Sequence, residues 1–232
     1  MYWLIVIVLV AILAFFVWAS ADIGSNVYLK TLCKAKTEDK VVALTFDDGP
    51  DAEMTPRVLD VLKEYGVKAT FFLIGKNVDK NPEIVKRIIL EGHTVANHTY
   101  SHAGLFPLNG SCKVRDELQK CNATIYHTIG LKPKLFRPPF GVTNPIIGSV
   151  SNSMGFKAIG WSIRSLDTIK TRSRVDVCNG ILKKLHCGAI ILLHDRCNDA
   201  DVLLRILIPA IIEKGYNITT IETLIKNSIY ED

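Results

Sequence analysis

No charged residue precedes Asp22 in this 232-residue chain, and between Met1 and Ala21 only Ser20 is not apolar. About twenty apolar residues suffice to cross a bilayer as a helix. A run that is apolar on every side reads as such a span, not as the half-polar helix of a soluble domain. No Lys or Arg precedes the run, which counts against a cleaved signal peptide, although Ala19 and Ala21 have the small-x-small spacing of a cleavage site. Lys30, Lys34 and Lys36 follow it, and the positive-inside rule alone would draw them to the cytoplasmic side. The six cysteines include no C-x-x-C pair, so a zinc knuckle is disfavoured and disulfides fit better, with Cys112–Cys121 as a local candidate. Lys and Arg are dispersed despite a net charge of +5, and without a basic stripe interleaved with aromatics nucleic-acid binding is not expected. There is no internal repeat and no low-complexity tract.

What remains is one domain's worth of alternating elements. Residues 1–21 form the apolar segment, 22–39 read as a linker, and 40–232 as the folded domain. Short apolar runs at 41–46, 69–74, 93–97, 134–136, 158–162, 189–193 and 217–220 predict strands. Between them, helical spacing predicts helices over 55–65, 82–91, 113–129, 145–154, 175–185, 199–214 and 221–226. Strand–helix alternation implies an α/β fold with a parallel sheet; about seven units suit an incomplete or distorted barrel better than an eightfold one. N-x-[ST] sequons begin at Asn97, Asn109, Asn122 and Asn217, which matter only in a glycosylating secretory pathway.

The chemistry-bearing residues cluster at the ends of the strand-like runs, where parallel α/β folds collect their sites. Asp47 and Asp48 follow the first run in TFDDGP, His98 and His102 the third in HTYSH, and Arg137 the fourth in RPPFG. Asp167 closes WSIRSLD, and His194 ends the sixth run in LLHD. Two histidines four apart can share a helical face or a turn and grip one metal ion. With Asp48 they make a two-His, one-carboxylate set that zinc, iron, cobalt or manganese accepts. Taken singly, DDGP could be only a turn, Arg137 a structural ion pair and His194 a satisfied strand-end histidine. His93, His127 and His186 fit no motif, and Phe71, Phe72 and Trp161 read as core.

These motifs in this order resemble the polysaccharide deacetylase (NodB-homology) family over roughly residues 40–223. The resemblance implies a distorted (β/α) barrel of seven strands. It also implies a divalent metal, zinc first with cobalt, manganese, nickel or iron as alternatives, held by Asp48, His98 and His102. Asp47 would be the general base and His194 the general acid; Arg137 would orient the base and Asp167 the acid. The backbone N–H of Phe140, beside Pro139, would meet the oxyanion, and Trp161 could wall the acetyl pocket. The implied activity is removal of N-acetyl groups from GlcNAc or MurNAc units of peptidoglycan, chitin or a related glycan. The enzyme would be anchored in a membrane with its catalytic domain outside the cytoplasm, or secreted. An O-acetyl esterase acting on a glycan such as xylan, and a non-catalytic glycan-binding protein, are the alternatives. Two positions depart from the pattern: Phe140 stands where Tyr is common, and Thr168 where Trp often follows the Asp.

Overall fold

In the computed structural model, which describes residues 2–226 and Tyr230, nine short strands form one sheet in which every ladder is parallel. The strands are β1 (Thr31–Leu32), β2 (Val41–Asp47), β3 (Thr70–Leu73), β4 (Thr94–Asn97), β5 (Leu135–Phe136), β6 (Lys157–Ile159), β7 (Ile163–Arg164), β8 (Ile190–His194) and β9 (Asn217–Thr219). Their order is β1-β6-β5-β4-β3-β2-β8-β7, and β9 pairs with the start of β2. β6 and β7 lie far apart in that order, yet only residues 160–162 separate them. The four peptide units from Ile159 to Ile163 reach roughly 14 Å at most, so the sheet must curl. It forms a half-barrel with helices around it, as the α/β reading expects.

The helices are α1 (Tyr2–Ala21), α2 (Met54–Glu64), α3 (Gly75–Lys80), α4 (Pro82–Leu90), α5 (Ser111–Ile129), α6 (Pro145–Ser153), α7 (Arg174–Leu182), α8 (Ala200–Glu213) and α9 (Ile221–Ile225). The amphipathic ones turn Val58, Leu59 and Leu62 of α2, Val85 and Ile88 of α4, and Leu203, Leu204 and Leu207 of α8 onto the sheet. There they meet buried strand residues, including Phe46 and Phe71, whose rings stack at 5.0 Å. α1 has no such face. Of its residues only Ala19 is buried, and it is long and apolar enough to cross a membrane. Its base is fixed to the domain, because Thr143 donates to the carbonyls of Ser20 and Ala19.

Three expectations change. The segment expected as a linker carries β1, which extends the sheet beyond β6, and it buries Ile23 and Leu29; two residues of strand leave no periodic trace. All six cysteines are free thiols. Cys112 and Cys121 sit nine residues apart on α5, one exposed and one buried, and a helical rise of about 1.5 Å per residue puts them too far apart to bond. The sequon at Asn97 is unusable in the folded chain: its side chain is fully buried and donates to the Leu118 carbonyl and to Asn122 Oδ1.

Candidate active site

β2 is the strand on which the pocket is hung. It is buried from Val42 onward, and its register sets Asp47 beside Phe72 of β3 and His194 of β8. Asp48 follows in a left-handed backbone conformation (φ 74°), which turns its carboxylate off the strand line. The next residue is glycine, and a Cβ there would run into the carboxylate of the buried Asp195.

The histidine pair sits on a turn after β4, not on a helix. Thr99 and His102 have φ of 66° and 47°, and Asn97 Oδ1 accepts from the Thr99 N–H while Thr99 Oγ1 accepts from the His102 N–H. Glu117 of α5 accepts from both the N–H and the hydroxyl of Ser101. This turn brings the two rings to 4.8 Å between centroids. Nε2 of His98 lies 3.5 Å from Asp48 Oδ1, and Nε2 of His102 lies 3.4 Å from it. Four donors about 2.0–2.1 Å from a tetrahedral ion stand about 3.3 Å apart, so the spacing fits one divalent cation. The chemistry of the donors fits as well. His98 Nδ1–H donates to the Arg137 carbonyl at 2.7 Å, which leaves Nε2 with its lone pair. Burial, helped by the neighbouring His98, pushes the His102 pKa down to about 4, so it is neutral at pH 7. Burial alone would raise Asp48, but the two imidazoles, when protonated, and the Arg196 guanidinium hold its carboxyl well below the usual range.

Arg137, expected to orient Asp47, reaches further than that carboxylate. It is fully buried and uses all three nitrogens. Nη1 donates to Asp47 Oδ1 (2.6 Å) and Thr45 Oγ1 (2.9 Å), Nε to the Ile159 carbonyl (3.1 Å), and Nη2 to the Gly160 carbonyl (2.8 Å). Its guanidinium lies 4.0 Å from the centroid of Phe72, with Trp161 at 5.7 Å. Across the pocket, Asp167 grips His194 twice: Oδ1 accepts from Nδ1–H at 2.8 Å and Oδ2 from the backbone N–H at 2.7 Å. Burial would lower the His194 pKa, but this bond and the charge of Asp167 outweigh it and raise the value.

Asp47, Asp48, His98, His102, Asp167 and His194 line one pocket of about 240 Å³ together with Phe140, Trp161, Leu166, Thr168 and Arg196; Arg137 meets it through Asp47. Trp161 is therefore a wall residue as well as a packing one, lying against Gly141, where a Cβ would meet the indole at 2.5 Å. Pro139 is buried beneath the rim, while Phe140 is half exposed and sets its ring edge-on to His102 at 4.7 Å. Asp48, His102, Phe140 and Leu166 all hold positive φ. Such strain costs about 1–3 kcal/mol per residue and collects where function requires it.

Two residues at the pocket escaped sequence reasoning. Arg196 Nε donates to Asp48 Oδ2 at 2.8 Å, and Asp195 is fully buried, with Oδ2 accepting from Thr55 and Oδ1 unpartnered among the described residues. Burial pushes the Asp195 pKa up to about 7; the Thr55 bond opposes this and the charge of Asp48 adds to it. Asp195 was visible in LLHD as the residue after the histidine. Nothing in the sequence distinguishes Arg196 from other exposed arginines.

A curled parallel sheet with carboxylates, imidazoles and a buried guanidinium gathered at the carboxyl ends of its strands defines an α/β enzyme of half-barrel type. The family model for polysaccharide deacetylase matches residues 34–159. The chain is 38% identical to a peptidoglycan-N-acetylglucosamine deacetylase of Bacillus cereus, over 81% of this chain and 69% of that protein. It is 34% identical to a chitooligosaccharide deacetylase of Sinorhizobium fredii, over 84% and 96% of the two chains. A crystal structure of the Bc1960 peptidoglycan N-acetylglucosamine deacetylase superposes with a TM-score of 0.82 at 35% identity, covering 87% of this chain and 95% of that one. The chain belongs to the polysaccharide deacetylase family and is an enzyme of that kind.

Proposed function

We propose that this enzyme hydrolyses the N-acetyl amide of GlcNAc or MurNAc units in peptidoglycan, chitin or a related glycan. The observation that carries this reading is that Asp47, held by Arg137, and His194, held by Asp167, line the same pocket as Asp48, His98 and His102. Asp48, His98 and His102 would hold a divalent cation, zinc first, which when bound activates water and polarises an acyl carbonyl. Asp47 takes a proton from the attacking water, and Arg137 fixes the carboxylate that receives it. The N–H of Phe140 meets the oxygen on which negative charge develops. His194 gives its proton to the amine nitrogen as the C–N bond breaks, leaving acetate and a free amino sugar. Pro139 supports the turn that presents Phe140, and Trp161 walls the acetyl methyl. α1 anchors the domain to a membrane, with the pocket outside the cytoplasm.

The direct test is acetate release from chitin oligomers, peptidoglycan and acetylated xylan by enzyme stripped with chelator and reloaded with zinc. Zinc-dependent acetate from an N-acetylated glycan is expected; release from xylan alone would make the enzyme an esterase, and silence on all three with metal bound would favour a binding protein. His98→Ala should lose both stoichiometric metal and activity, and metal retained in full would remove that ligand from the set. The raised His194 pKa sets the alkaline limit: the acid is present below that pKa and lost as pH rises through it. Asp167→Asn removes what raises it, so the alkaline limb of kcat should move to lower pH. An unmoved limb would take the proton-donor role from His194.

A further inference from the structure

The catalytic pocket does not end at the acetamido-sized space. Asp167, Thr168 and Arg196 line it and also line an adjoining hollow of about 440 Å³, which continues over Lys170 and Arg174. Thr168, at the junction, has a small side chain and lines both spaces. Three basic groups face the hollow. Arg196 is pinned through Nε on Asp48 Oδ2, and neither terminal nitrogen of its guanidinium has a partner among the described residues. Arg174 spends one terminal nitrogen on the Asp167 carbonyl at 3.1 Å. Lys170 is exposed and makes no ion pair among the described residues.

The acids there offset the formal charge but leave these donor nitrogens open. Both oxygens of Asp167 are occupied by His194, Asp48 lies on the catalytic side of Arg196, and Asp199 stands exposed at the rim. A second cation is a poor occupant. Asp167, His194 and Cys197 do bring donor atoms within 4.8 Å of one another, but the Asp167–His194 bond and three neighbouring positive charges oppose it. A planar guanidinium held at one nitrogen with two free ones is pre-organised for the two oxygens of a carboxylate.

We propose that this hollow is a carboxylate subsite, and that the preferred substrate is an N-acetylated glycan carrying a carboxylate on the deacetylated sugar or on a group attached to it. Arg196 and Lys170 receive that carboxylate while the acetamido group occupies the catalytic pocket. This rests on the deacetylase reading above and narrows its range of N-acetylated glycans to those that carry a carboxylate.

The test uses zinc-loaded enzyme and four N-acetylated oligosaccharides of equal length: neutral, acidic on the sugar ring, acidic only through a short attached peptide, and ring-acidic with its carboxylate converted to a neutral amide. In parallel, their affinities are measured on Asp47→Asn, which needs no turnover. An acidic form should be preferred roughly tenfold or more in kcat/KM, the scale of one charge-assisted hydrogen bond. The preference should vanish in the amide and shrink with added salt. Lys170→Ala should narrow the acid-to-neutral ratio, and Thr168→Trp should close the hollow and abolish it, both through KM. Whether the ring-borne or the peptide-borne carboxylate wins identifies the group bound. Equal affinity for acidic and amide forms overturns the subsite even if acetate is released from both. Preference in binding with no acetate from any of the four would instead overturn the deacetylase reading and leave the subsite standing.

Discussion

Arg137→Ala is expected to unfold the domain or come close to it, with activity lost in either case. The side chain is fully buried and pairs with Asp47, which is only 4% exposed. Removing one partner of a buried pair strands the other charge and costs about 3–5 kcal/mol, against a typical total stability of about 5–15 kcal/mol. The Ile159 and Gly160 carbonyls lose their donors too. Urea denaturation followed by circular dichroism should show the midpoint falling sharply. Arg137→Lys provides the control: it restores a positive charge but cannot reach four acceptors in one plane, so it should recover part of the stability and little of the activity. An alanine variant within about 1 kcal/mol of the wild type, less than a single buried hydrogen bond to a charge, would mean that Asp47 does not depend on the guanidinium.

Asp47→Asn should give the opposite dissociation, an intact fold and metal content with turnover lowered roughly 10²–10⁴-fold, the range for loss of a positioned acid–base group. The amide is isosteric and its oxygen still accepts from Arg137 Nη1, so packing and that hydrogen bond persist, while the buried guanidinium loses its counter-charge and the melting temperature falls without unfolding the domain. The donors proposed for the cation, Asp48, His98 and His102, are left in place by the substitution. Metal analysis, melting temperature and kcat on one preparation decide it. Turnover within a few-fold of wild type would transfer the base to another group, and loss of metal would show that Asp47 itself contributes a ligand.

The seven strands read from apolar runs are all present because a parallel strand covered on both faces leaves a continuous hydrophobic signature, as in 41–46 and 69–74. β1 and β7 contribute two residues each, too few for any period, and the six-residue helix α3 buries only Gly75 and Val78. The site was legible to the extent that chemistry is confined to residue type and strand end. Its contacts were not. The His98–His102 spacing suits a helical face and a turn equally, and only the left-handed Thr99 and the bonds from Asn97 and Glu117 settle which. The reach of Arg137 to Gly160, and of Arg196 to Asp48, depends on strands distant in sequence lying side by side.

The order of the strands in the chain also separates two events in the life of each new molecule. Asp48, His98 and His102 all lie before residue 103, on strands that pair directly through β3. Asp167 and His194 arrive much later, and β8 must be inserted between β2 and β7 to bring His194 alongside Asp47. The residues proposed to hold the cation therefore leave the ribosome well before those proposed to complete the hydrolytic set. That set comes together only when β8 lies against β2, and β9 then pairs with the start of the same strand.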